Sequence, residues 1–114
     1  MKETIGIRLT ELASQFVDFY FSEAQEEKYP YAVYDMTVTP VYTKDGIHHY
    51  QASVTVEVYA KNLSDCDSIA DSIDNAIADN MRGDQYSSFK LSDSKECSEE
   101  IWSRTMSYTI KQIR

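Results

Sequence analysis

A chain of 114 residues, 42% hydrophobic and 26% charged, is long enough for one compact core and too short for two, so residues 1–114 are expected to form a single domain. Its formal net charge of -8 disfavours contact with nucleic-acid phosphates or anionic lipid, and no apolar run reaches membrane-spanning length. Two cysteines, Cys66 and Cys97, without CxxC or Cys/His spacing, are too few for a disulfide framework and read as thiols in a reducing compartment, with a single disulfide as the lesser alternative. Glu3 and Arg8 interrupt the opening residues, which do not read as a signal peptide.

Residues 3 to about 25 read as an amphipathic helix. Ile5, Leu9, Leu12, Phe16 and Tyr20 recur at spacings of three and four, with Ala13 and Val17 widening the stripe. Phe19 and Phe21 fall outside it, which suits a helix end buried on more than one side, or an aromatic contact for a partner chain. Pro30 then forces Tyr29 toward an extended conformation. Tyr31 to Tyr42 reads as a strand whose far end is an edge or a loop, because Pro40 cannot donate to a ladder. Thr43-Lys44-Asp45-Gly46 is a turn, and Tyr50 to Lys61 is the clearest strand of the chain. There Ala52, Val54, Val56, Val58 and Ala60 share one parity, and Gln51, Ser53, Thr55, Glu57 and Tyr59 the other.

A second helix starts with Ser64 as the expected N-cap and Asp65 and Asp67 at the positive end of its dipole. Its stripe is Ile69, Ala70, Ile73, Ala76, Ile77 and Met81, and Gly83 closes it. The last third reads as a hairpin: a strand over about Tyr86 to Ser92, a polar connection from Ser92 to Glu99, and a strand from Ile101 to Ile113. The expected fold class is α+β, in the order α-β-β-α-β-β, a mainly antiparallel sheet with two helices packed on it.

No reaction centre stands out. His48 and His49 are adjacent on a strand and point to opposite faces, so they cannot easily share a metal ion. Asp65, Asp67, Asp71, Asp74, Asp79 and Asp84 lack the EF-hand order, and on a helix Asp67, Asp71 and Asp74 line one face, read here as solvated. Cys66 or Cys97 with a histidine base would be the nucleophile of a small hydrolase, although Cys66 also suits a buried hydrophobe beside Ile69 and Ala70. No GxSxG, SxxK, GxGxxG or GxxxxGK[ST] occurs. The expectation is therefore a non-enzyme with no catalytic residue, metal or cofactor.

The segments KYPYAVYDMTVTP and YQASVTVEVYAKNLSDCDSIADSIDNAIADNM, in this order after an amphipathic helix and around a Lys/Asp/Gly turn, carry a resemblance. The chain resembles the small tail-completion or tail-terminator proteins, the head–tail joining components of long-tailed phages and prophages. The core positions Ile69, Ala70, Ile73, Ala76 and Ile77 carry its helical part. The resemblance implies a virion structural subunit that joins copies of itself into a ring, usually six-fold, at the head-proximal end of the tail. It implies tail-tube and neck proteins as partners, with a place first in the bacterial host cytoplasm and then in the virion. No specific nucleic-acid binding and no membrane are expected. Thr43, Lys44, Asp45, Gly46 and Ile47 at the hairpin turn, with Tyr59, are the candidate partner-contact residues. The alternative from another class is an acidic stand-alone adaptor or inhibitor that docks a basic partner.

Overall fold

The computed structural model describes residues 9–21, 29–81 and 86–113. Its core is one five-stranded sheet covered on a single face by two helices, an α+β arrangement. In chain order these are α1 (described over residues 9–13), β1 (Asp18–Phe21), β2 (Tyr31–Thr43), β3 (Gly46–Ala60), α2 (Leu63–Asn80), β4 (Tyr86–Ser98) and β5 (Ile101–Ile113). The strand order across the sheet is β1-β2-β3-β5-β4, antiparallel throughout except for the parallel β1–β2 pair.

The central strand β3 sorts its side chains as its alternation requires. Ala52, Val54, Val56, Val58 and Ala60 are buried under the helices, while Gln51, Ser53, Thr55, Glu57 and Tyr59 face the other way. β5 continues the same face with Met106, Tyr108 and Ile110, and α2 supplies Cys66, Ala70, Ile73 and Ile77, with Met81 just beyond its end. Burying a Val, Ile or Met side chain is worth about 1.5–3 kcal/mol, so this helix-covered face holds the fold together. The opposite face has no covering layer among the described residues and is rich in hydroxyl side chains, including Ser53, Thr55, Thr105, Ser107 and Thr109.

The order is therefore α-β-β-β-α-β-β, one strand more than the sequence suggests. The expected first helix stops after Ala13, where the Phe16 and Val17 amides both turn back to the Ala13 carbonyl, and β1 begins five residues later. Over so short a window, spacings of three and four at Val17 and Tyr20 mask an aromatic β-pattern. Phe19 leaves the helical stripe because it belongs to a strand, and it stacks on Tyr34 with ring centroids 4.8 Å apart. Phe16, placed on the buried stripe by helical spacing, is 42% exposed once the helix has ended. Ile5 and the expected helix over residues 22–25 lie outside the described residues.

Two more boundaries move. Asn62, not Ser64, caps α2: its Oδ1 accepts the Asp65 amide at 2.8 Å, and its Nδ2 donates to Asp65 Oδ2 at 2.9 Å. At the other end the Met81 amide donates to the Ile77 carbonyl; Gly83, the expected stop, lies outside the described residues. In the last third, Ser92–Glu99 is not a connection. β4 runs on to Ser98, and the turn is only Glu99-Glu100, both with positive φ (51° and 66°). A bulge between Lys90 and Ser92 interrupts the alternation of β4, and Phe89 and Leu91 beside it are 59% and 65% exposed.

Candidate partner-docking surfaces

The β2–β3 hairpin outruns its helical cover. β2 has 13 residues and α2 has 18, so the strand extends about 43 Å and the helix only about 27 Å, within a molecule 52 × 24 × 22 Å. β1 pairs only with Tyr31–Tyr34, so among the described residues nothing pairs with the outer edge of the distal half of β2. Pro40 lies on that half, where a missing N–H costs no ladder bond on the free side. At the tip, Lys44-Asp45 forms a two-residue turn between the paired Thr43 and Gly46, and Gly46 adopts a φ of +113° that favours glycine. The side chains of Thr43, Ile47 and His48 lie outside the described part. Lys44 and Asp45 are exposed, as is Tyr42 at 67%.

Tyr59, the sixth expected contact residue, is not at this tip. It pairs with Tyr31, thirteen residues along β3 from Gly46 and about 43 Å away at the usual rise. The expected contact residues thus occupy two opposite ends of one sheet. At the Tyr59 end the uncovered face forms a concavity of about 520 Å³, lined by residues of β2, β3, β5 and the end of β4. Tyr31 and Tyr59 stack at 5.1 Å and Tyr29 and Tyr31 meet at 5.4 Å, which makes a three-ring ladder. The Tyr59 hydroxyl donates to the Glu57 carboxylate, and burial together with that carboxylate holds the phenol well above its ordinary pKa. Glu96 and Glu99 complete the acidic wall, and sequence reading missed both because it placed them in a connection.

Asp67, Asp71 and Asp74 of α2, expected as a solvated face, are paired: Asp67 and Asp74 are half-buried, and Asp71 is exposed but ion-paired. Asp67, Asp71 and Asp74, at helical spacing, lie over β4 and β5 and meet their cations there. Arg104 forks onto Asp93 (Nε–Oδ1 2.8 Å, Nη2–Oδ2 2.7 Å) and reaches Asp71 with Nη1 at 2.6 Å. Lys95 donates to Asp67 at 3.1 Å and Lys90 to Asp74 at 3.3 Å, while the Tyr108 hydroxyl donates to Asp74 at 2.7 Å. Bonding to Arg104 holds the Asp93 carboxyl well below the usual carboxylate range, against the opposing effect of burial. The seam anchors β4, an edge strand exposed along most of its length, to the helix layer. Every charge in it faces a partner charge, so its chemistry is structural.

The nucleophile candidates are kept from their bases. Cys66 is buried, its thiol pushed up by burial and by Asp67, and it lies 3.7 Å from the Val58 carbonyl. Exposed Cys97 pairs with Trp102, which pairs with Ala60 of β3; His49 is eleven residues back along that strand, about 36 Å away. Among the described residues no group of three or more His, Cys, Asp and Glu could hold a metal ion. No described helix is long and apolar enough to cross a membrane.

No protein-family profile matches the chain, and no curated protein does. Among solved structures, the chain is similar to a chain in the virion of a native gene transfer agent particle, with a TM-score of 0.67 at 12% identity. The match covers 93% of this chain and 84% of the other, so the two share a fold over nearly their whole lengths.

Proposed function

We propose that this protein is a structural subunit of a phage-like virion, and that it acts as a tail-completion component forming a ring at the head-proximal end of the tail. The observation that carries the proposal is the shared fold with a chain of a gene transfer agent virion over 93% of this chain, in line with the residue resemblance to tail-completion proteins. The shape suits the role. A hairpin that outruns its cover lets each copy lay a projecting element on a different surface of the next, the arrangement that closes into a ring. Pro40 on the free edge of β2 works against simple continuation of the ladder from copy to copy, so the contacts come from hairpin side chains. On this reading the protein binds and positions and catalyses nothing.

Light scattering and negative-stain microscopy of the full chain, alone and with purified tail tubes, test the reading. Closed oligomers of one size with a ring outline are expected. A variant lacking residues 43–47 should stay folded and lose the assembly. A monomer under both conditions would refute ring formation and favour the acidic adaptor.

A further inference from the structure

We infer that the concavity beside Tyr59 receives an arginine- or lysine-bearing segment of a partner protein other than this chain. The inference stands apart from ring assembly, since the concavity belongs to a single protomer.

Strand alternation has sorted the charges of the β4–β5 hairpin. The Lys95–Arg104 rung turns to the helix-covered face, where both cations are held by aspartates. The next rung, Glu96–Ser103, turns to the concavity. The result is a hollow lined by Glu57, Glu96 and Glu99, with no Lys, Arg or His in its wall among the described residues. Glu57 is occupied by the Tyr59 hydroxyl, but neither Glu96 nor Glu99 has an ion-pair partner among the described residues. This contrasts with the opposite face, where Asp67, Asp71, Asp74 and Asp93 each meet a cation.

The chemistry of the hollow selects an extended cation. The carboxylates do not converge as metal ligands do, and their charge repels nucleic acid and anionic lipid. The Tyr29–Tyr31–Tyr59 ladder adds ring surface on which a guanidinium or ammonium group can rest while its charge is met by carboxylates. A second copy is a poor source. Each copy carries a net charge of -8, Lys90, Lys95 and Arg104 are already engaged, Lys44 at the hairpin tip sits beside Asp45, and the other described cations, Lys61 and Lys111, are isolated along the sequence. The partner is therefore a different protein that presents basic side chains.

The test is an amide-shift titration of the 15N-labelled full chain with the capped peptide Gly-Arg-Gly-Arg-Gly, against Gly-Glu-Gly-Glu-Gly. Saturable shifts at Tyr59, Glu96, Ser98 and Glu99 with the arginine peptide alone are expected. Glu96→Gln with Glu99→Gln, both exposed, should leave the spectrum folded and weaken the peptide roughly fivefold, as loss of two partly exposed ion pairs implies. Shifts centred on the α2 aspartates, an affinity unchanged in the double variant, or no shifts at millimolar peptide would each overturn the inference.

Discussion

Replacing Arg104 by methionine tests whether the ionic seam, rather than the apolar core alone, keeps β4 in place. Arg104 is 12% exposed, and methionine preserves most of its apolar stem while removing three charge-assisted hydrogen bonds. The two legs differ in worth. Asp71 is 60% exposed, so that leg contributes at most about 0.5–1 kcal/mol. Asp93 is 26% exposed and held by a fork, so that leg contributes about 1.5–2 kcal/mol. A loss of about 2–3 kcal/mol corresponds to a fall in Tm of about 10 °C for a domain of this size. The pH dependence follows from Asp93, whose folded-state pKa is depressed below its unfolded value of about 3.9. Its stabilisation is present above that value and is lost as pH falls toward the folded one. The gap in Tm between wild type and variant should therefore be widest at neutral pH and narrow from about pH 4 downward. Thermal unfolding followed by circular dichroism at pH 7 and at pH 2.5 provides the reading. A fall of less than about 3 °C at pH 7, or a gap as wide in acid, would show that the seam does not secure the strand.

Three further outcomes are expected. Val56→Asp places an unpaired charge at a fully buried site between Tyr34 and Met106 and should cost at least about 3 kcal/mol in denaturant unfolding. Thr55→Asp on the uncovered face, opposite Asp35, should cost less than about 1 kcal/mol; equal damage from both would mean the strand faces are misassigned. A maleimide reagent should label exposed Cys97 at once and buried Cys66 only on unfolding, and mass spectrometry showing rapid double labelling of the native protein would contradict the packing. Titrating labelled duplex DNA at two salt concentrations should give no measurable affinity at physiological salt, given a net charge of -8, whereas tight binding that falls steeply with salt would reveal clustered basic contacts.

The parts of the fold that face the core were legible in the sequence, and the parts held by charge were not. The alternation from Ala52 to Ala60 and the stripe from Ala70 to Ile77 assign the buried faces correctly, because burial demands apolar residues at fixed periods. β1 stayed hidden because Val17 and Tyr20 fit a helical spacing, while the Phe19–Phe21 alternation is only one repeat long. The distal half of β4 was hidden because no apolar residue in it reaches the core. Asp93 and Lys95 take the core-side positions and meet Arg104 and Asp67 instead. The Glu99-Glu100 turn offers none of the glycine or asparagine that positive φ usually brings. The candidate site was half visible for the same reason. Asp45-Gly46 marks its turn plainly, but the concavity around Tyr59 is completed by Glu96 and Glu99, whose positions depend on the unseen half of β4.

Immunogold electron microscopy of particles released by cells carrying the gene tests the virion role most directly. An antibody to the full chain should place gold at one end of the tail, next to the head, and particles made without the gene should have tails of uncontrolled length or no heads attached. Gold absent from the particles, with all of the protein recovered free of them, would contradict a structural role in the virion.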